Sequence, residues 1–344
     1  MALSAQQPVQ SSMPSPLKFF ETVNSYQRTA ALKAAIELDV FSTIADGANT
    51  PDLIAKKINA AERGIRTLCD FLTIHGLLIK QNGHYGLTPD TAMFLTRKSQ
   101  AYMGGCIEFL LNPSLHEAFD RLTDAVRGGG SALDREEVSP DDPMWIKFAA
   151  SMMPMAFTIA QAAANVLPLP DDRETKVLDI AASHGIFGIF VAKRHPRAHI
   201  TGLDGKNVVA FAKENADRFG VADRYSTIAG DAFNVDLGSN YDAILLPNIL
   251  HHFDPSTCEK LLAKCYRALR PGGQLAIIEF VPNDDRVSPP ISASFSLIML
   301  AMTPSGDAYT LREFQRMLTA TGFSTPDAYP LPPSEHLMVL SKRA

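Results

Sequence analysis

The pattern of apolar and polar positions along the chain changes character near residue 170. On the N-terminal side, apolar residues recur at helical spacing, first from Phe19 to Leu38. Thr50-Pro51-Asp52-Leu53-Ile54-Ala55 then reads as a helix start, with a capping Thr, Pro at the first helical position and an acid behind it. A second helix is predicted over Glu62 to His75. Two short strands, Gly76-Leu77-Leu78-Ile79-Lys80 and Tyr85-Gly86-Leu87-Thr88, flank the turn signal Gln81-Asn82-Gly83-His84. Helix, helix and hairpin make a winged-helix pattern over residues 17–100. Ahead of it, residues 1–16 are rich in Gln, Ser and Pro and are expected to form a disordered tail.

Residues 101–167 predict long helices broken at Gly128-Gly129-Gly130, acting as a linker and as pocket helices. Trp145 to Val166 is apolar and Met-rich (Phe148, Met152, Met153, Met155, Phe157). Such a stretch serves either as core or as an adaptable wall for a substrate. Pro168-Leu169-Pro170-Asp171-Asp172 marks a boundary. Beyond it, strand-length apolar runs (Val177–Ile180, His199–Leu203, Tyr225–Ala229, Ala243–Pro247, Gln274–Glu279) alternate with helical stretches such as Val208–Phe219 and Pro255–Leu269. That alternation predicts a doubly wound α/β domain over residues 168–344, a parallel sheet with helices on both faces.

Composition narrows the function classes. A chain of 344 residues favours two domains, and 46% apolar content is ample for their cores. No apolar run is long enough for a bilayer, and the N-terminus lacks a secretory pattern. Cys69, Cys106, Cys258 and Cys265 are scattered without metal-like spacing, which points to a reducing cytoplasm. The net charge of −5 argues against general nucleic-acid binding. The winged-helix region could read DNA through Arg63 and Arg66 or serve dimerisation; the second helix is poor in basic residues, which favours the latter.

Ligands of doubly wound domains bind at the carboxyl ends of the strands. The first strand ends in Asp179-Ile180-Ala181-Ala182-Ser183-His184-Gly185, a turn of small residues running into a helix. Small residues let the backbone approach a ligand, and helix-start N–H groups point at it. Asp204 follows the second strand and is placed to hold ribose hydroxyls. Gly230-Asp231-Ala232-Phe233 follows the third, Asn248-Ile249-Leu250-His251-His252-Phe253-Asp254 the fourth, and Glu279 ends the fifth. Polar residues at five successive strand ends are hard to explain by packing.

In these motifs, together with Gly202-Leu203-Asp204 and Arg270-Pro271-Gly272-Gly273, the chain resembles class I S-adenosylmethionine-dependent methyltransferases. More narrowly it is similar to the small-molecule O-methyltransferases of plant phenolic and bacterial natural-product type. The resemblance implies a Rossmann-like methyltransferase domain behind a winged-helix-like dimerisation domain. It implies S-adenosylmethionine as cofactor, S-adenosylhomocysteine as product, no metal, and a homodimer acting on a small aromatic acceptor rather than on nucleic acid or membrane. Asp179 and the backbone from Ala181 to Gly185 would hold the methionine portion, Asp204 the ribose, and Asp231, Ala232 and Phe233 the adenine, with Asn248 beside the cofactor. His251 matches the catalytic base and Glu279 the acid that orients it; His252 is the competitor, read as a helix-start residue. Phe148, Met152, Phe295 and Met299 are the substrate-pocket candidates.

The chain departs from the family pattern in three places. Ala181 and Ser183 stand where glycines are common, Phe253 where a tryptophan is usual, and Ala308 where plant members carry a second acid, with Asp307 next to it. His184 is read as a capping or cofactor-side residue, and the remaining histidines, His336 among them, as surface or packing residues. The chemistry itself needs a base: a phenol becomes a better nucleophile as it loses its proton, and a His with a pKa of about 6.5 can take it near neutrality. Methylation at carbon or nitrogen on the same fold, and a non-catalytic regulator, are the alternatives.

Overall fold

The computed structural model describes residues 14–133 and 144–343. Most of the expected N-terminal tail therefore lies outside the described residues. Two compact units divide at Gly105/Cys106. The first holds α1 (Leu17–Val23), α2 (Ser25–Glu37), α3 (Val40–Ala45), α4 (Pro51–Ile58), α5 (Glu62–Ile74), β1 (Leu78–Gln81), β2 (His84–Leu87) and α6 (Pro89–Phe94). The single stripe read over Phe19 to Leu38 is two helices, interrupted at Asn24. Asn82 and Gly83 both adopt positive φ, 49° and 83°, so the hairpin closes through the mirror-type turn its sequence favours. Asp70 of α5 fastens that hairpin, accepting from Lys80 Nζ at 2.5 Å and from the Tyr85 hydroxyl at 2.7 Å. Arg66 pairs with the same Asp70.

The second unit begins with α7 (Ile107–Leu110), α8 (Pro113–Asp120), α9 (Leu122–Gly128) and α10 (Met144–Val166). The helices expected to be long before the glycine run are thus three short ones. Asn112 restarts the chain by capping α8, its side chain accepting from Leu115 N at 2.9 Å, and Gly129 ends α9 at φ 77°. The remainder alternates β3 (Thr175–Ile180), α11 (Ile186–Arg194), β4 (Ala198–Asp204), α12 (Lys206–Arg218), β5 (Tyr225–Ala229), β6 (Tyr241–Pro247), α13 (Pro255–Ala268), β7 (Leu269–Phe280), α14 (Pro290–Met302), α15 (Leu311–Ala320), β8 (Asp327–Pro330) and β9 (His336–Lys342).

The seven-stranded sheet has the order β5-β4-β3-β6-β7-β9-β8. The order reverses between β3 and β6, the switch point at which such sheets open a ligand crevice. All seven residues of β6 are buried, which explains the unbroken apolar run from Ala243 to Pro247. The sheet is not wholly parallel: β9 runs antiparallel to β7, pairing Phe280 with His336 and Glu279 with Leu337. One hydrophobic cluster joins α10, α11 and α12 to one face, and a second joins α13 and α15 to the other. Gly188 permits the close approach of α11, because a Cβ there would meet Ile200 Cγ2 at 2.6 Å and Asp179 Oδ2 at 3.0 Å.

Candidate active site

The carboxyl ends of β3 to β7 gather the residues singled out in the sequence. The turn after β3 takes an alternating left-handed course, with φ of 56° at Ala181, 52° at Ser183 and 76° at Gly185. Two of these positions carry a Cβ in a conformation that costs an L-residue about 1 kcal/mol each. Asp179 is fully buried beneath the turn, and its Oδ2 accepts from Gly188 N at 2.9 Å. Its Oδ1 has no hydrogen-bond partner among the described residues. Burial, with the nearby Asp204 carboxylate adding to it, pushes the Asp179 pKa up to about 7. Below the same turn the Tyr225 hydroxyl is likewise buried without a partner among the described residues.

Asp204 is half-buried and accepts one backbone N–H at each oxygen, from Ser183 at 2.8 Å and from Gly205 at 2.7 Å. Each oxygen keeps a lone pair for a further donor. Burial raises its pKa. Asp231 fastens its own turn, with Oδ1 accepting from Phe233 N at 2.9 Å and Oδ2 from the Asn234 amide. Lys264 of α13 donates to the carbonyls of Ala232, Phe233 and Val235 at 2.8, 2.9 and 2.7 Å, so a helix on the far side of the loop sets its path. His184 accepts Ile186 N at its Nδ1, 3.2 Å away, and so caps α11. Burial pushes its pKa down to about 4.

His251 and Glu279 form a buried polar pair in the crevice. His251 Nδ1 lies 2.6 Å from Glu279 Oε2, with both residues buried. Glu279 Oε1 also accepts from Leu250 N at 3.0 Å and from His251 N at 3.4 Å, so the carboxylate is fixed from both sides. The pairing occupies Nδ1 and leaves Nε2 for another partner. Asp307, beside Ala308, is bound by Arg286, whose Nη1 donates to its Oδ2 at 2.9 Å and whose Nη2 donates to both Glu313 oxygens at 2.6 and 2.7 Å. His252 presents a face to solvent but is otherwise crowded by protein. Desolvation and the neighbouring His251 push its pKa down to about 3.

Phe295 of α14 meets His251 edge-on, ring centroids 4.9 Å apart, and Met299 lies one turn further along. Phe148 joins Phe109 and Trp145 in an aromatic group, with Met152 one turn on in α10. Met153 and Phe157 of the same stretch pack on the core. The sequence reading missed His336. It is neither a surface residue nor a packing residue alone: it is buried at the start of β9, with Nε2 3.1 Å from Asn248 Oδ1. The Leu337-Met338-Val339-Leu340 run marked that strand.

A family model of the O-methyltransferase domain matches residues 119–324, and one of the O-methyltransferase dimerisation domain matches residues 20–97. The chain belongs to the O-methyltransferase family. This methyltransferase is 31% identical over 302 residues to the 3-hydroxy-5-methyl-1-naphthoate 3-O-methyltransferase of Streptomyces sahachiroi, covering 86% of each chain. It superposes on a candidate O-methyltransferase from Nostoc punctiforme with a TM-score of 0.91 at 49% identity, over 96% of this chain and 100% of that one. Human N-acetylserotonin methyltransferase, solved in complex with S-adenosylmethionine, shares the fold with a TM-score of 0.83 at 22% identity, over 98% and 100% of the two chains. Among the described residues of the methyltransferase, no helix is long and apolar enough to cross a membrane, and no cluster of acids, His and Cys could hold a metal ion. All four cysteines are free and buried.

Proposed function

We propose that the protein transfers the methyl group of S-adenosylmethionine to a hydroxyl of a small aromatic acceptor, with His251 as general base. The observation that carries this reading is the buried 2.6 Å pair of His251 Nδ1 and Glu279 Oε2 at the carboxyl edge of the sheet. The cofactor fits the chemistry of the donor set. Ala181, Ser183, Asp204, Asp231, Ala232, Phe233 and Asn248 are each half-buried, which leaves an accessible rim of backbone, carboxylate, ring and amide. Asp204 would hold the ribose and the Asp231–Phe233 turn the adenine. Ala181 to Gly185 would hold the methionine end, above the buried Asp179.

When bound, S-adenosylmethionine supplies an electrophilic methyl on a sulfonium, with a neutral thioether as leaving group. The residues of the chain then align and deprotonate. Glu279 keeps the proton of neutral His251 on Nδ1, so Nε2 is the basic nitrogen that takes the proton of the acceptor hydroxyl. The carboxylate stabilises the imidazolium that forms. Phe295 against His251 gives the acceptor an aromatic wall, which suits a phenolic or naphtholic ring. The protein is read as a cytoplasmic homodimer joined through its N-terminal unit.

Labelled S-adenosylmethionine and a panel of phenols, naphthols and flavonoids test the reading. Product mass spectrometry should place the new methyl on oxygen. His251→Ala should lower kcat by about 10²- to 10⁴-fold, the usual weight of a general base, and Glu279→Gln by less. Turnover undiminished in His251→Ala would exclude the base, and methyl on carbon or nitrogen would exclude the hydroxyl acceptor.

A further inference from the structure

A second polar chain reaches the crevice from the antiparallel strand. Ser334 Oγ lies 2.5 Å from His336 Nδ1 and also accepts from His336 N at 3.1 Å. His336 Nε2 lies 3.1 Å from Asn248 Oδ1. An amide oxygen only accepts, so Nε2 carries the proton, and Nδ1 is left to accept from the Ser334 hydroxyl. Burial keeps this imidazole uncharged, its pKa pushed down to about 4. Asn248 follows β6 directly, is held left-handed at φ 52°, and donates its own N–H to Ile278 O at 2.9 Å. The residue is half-buried, three positions before His251. With Oδ1 taken by His336, its carboxamide N–H₂ has no partner among the described residues.

The histidine is also tied to the base by packing. Its ring centroid is 3.9 Å from that of Phe280, Phe280 is 4.4 Å from Phe295, and Phe295 is 4.9 Å from His251. The relay thus shares one chain of ring contacts with the proposed base, and no hydrogen bond among the described residues joins the two.

We propose that Asn248 donates a hydrogen bond to an oxygen of the bound reactants, and that His336 is the positioning residue that fixes the amide to do so. An unrestrained carboxamide presents oxygen or nitrogen with comparable ease. A donor at Oδ1 removes that choice and leaves only N–H groups facing the ligand. The oxygen belongs either to the cofactor (a carboxylate or ribose hydroxyl) or to the methyl acceptor (a carbonyl, carboxylate or ether beside the reacting hydroxyl). This inference rests on the methyl-transfer reading above.

The test uses the full-length protein. His336→Phe keeps a ring on Phe280 but cannot donate, and should lower kcat/KM about tenfold, the weight of one fixed hydrogen bond. His336→Gln, which can donate to Oδ1, should recover most of that loss; Asn248→Ala should match the His336→Phe loss. The double variant His336→Phe/Asn248→Ala should be no worse than either single. A parallel loss of S-adenosylhomocysteine affinity assigns the oxygen to the cofactor; affinity unchanged with a raised acceptor KM assigns it to the acceptor. Losses that add in the double variant, or undiminished kcat/KM in His336→Phe, overturn the proposal. Nitrogen-15 NMR of His336 reads the relay without turnover: the Nε2–H tautomer is expected, and the Nδ1–H tautomer overturns the relay even if methyl transfer stands. Absence of methyl transfer in the unmodified protein with that tautomer present would instead count against the function.

Discussion

Asp179 shows what a single residue contributes beyond its place in a motif. Its position at the end of a strand was legible, because an acid before a small-residue turn is visible in the sequence. Its complete burial and its unpartnered Oδ1 were not, since both depend on how α11 packs over it. An acid whose pKa rises from 3.8 to about 7 keeps its proton in the folded chain while the unfolded chain has lost it. Its ionisation therefore lowers stability as pH climbs from about 4 to about 7. Binding of a cation reverses that preference, because the ionised carboxylate then has a partner charge. S-adenosylmethionine carries a sulfonium and S-adenosylhomocysteine does not. Affinity for the first, relative to the second, should rise with pH up to about 7 and then level off, by at most about tenfold per pH unit. Titration calorimetry of both ligands between about pH 5 and about pH 8, spanning the shifted carboxyl, measures the difference. Asp179→Asn should abolish it; an unchanged pH dependence in that variant would rule Asp179 out as its source. Ala181 and Ser183 add a residue-scale lesson: read as departures from a glycine pattern, they nevertheless take the left-handed course that glycines favour.

At the scale of elements, the parallel strands and their following helices were the legible part. Strand β6 and helix α13 lie within a residue or two of their sequence-read limits, because an unbroken apolar run and a Pro-led helix start each have one simple structural meaning. The antiparallel pair was missed for a specific reason. Chemistry at a strand end is legible from the residues that follow an apolar run, whereas β9 begins at the same edge where β7 ends. His336 therefore sits among the site residues as the first residue of a strand. The Lys264 clamp was invisible for another reason: three carbonyls bind one ammonium across about 30 residues of chain, and carbonyls leave no mark in a sequence. That clamp gives a prediction about α13 as an element. Lys264→Met keeps the aliphatic stem and removes the donor, so the Ala232–Val235 loop should lose its fixed path. S-adenosylhomocysteine affinity should fall by about tenfold, as one or two charge-assisted hydrogen bonds would imply, while circular dichroism remains that of the unmodified protein. Equal affinity in the two proteins would show that the loop holds its course without α13.

For the molecule as a whole, the N-terminal unit carries the argument, because its first helix is not stable on its own terms. No residue of α1 is buried, and Leu17, Phe19, Phe20 and Val23 are 67%, 64%, 53% and 52% exposed, with Tyr26 of α2 at 66%. Seven residues are too few for a helix to persist in water by propensity. Apolar surface of this kind, contiguous along one segment, costs roughly 25 cal/mol per Å² while it faces solvent. A second copy of the chain answers both problems, in keeping with the dimerisation-domain match over residues 20–97. The interface would then be isologous, each α1 and α2 meeting its equivalents around a twofold axis. Under this reading, Phe19→Asp/Phe20→Asp places four buried charges in the dimer, two from each protomer, with no partners to offset them. Sedimentation equilibrium at micromolar concentration should give a dimer for the unmodified protein and a monomer for the double variant. The variant should keep its sheet, since neither residue belongs to the clusters that hold it. A monomeric unmodified protein, or a dimeric variant, would assign those side chains to another partner.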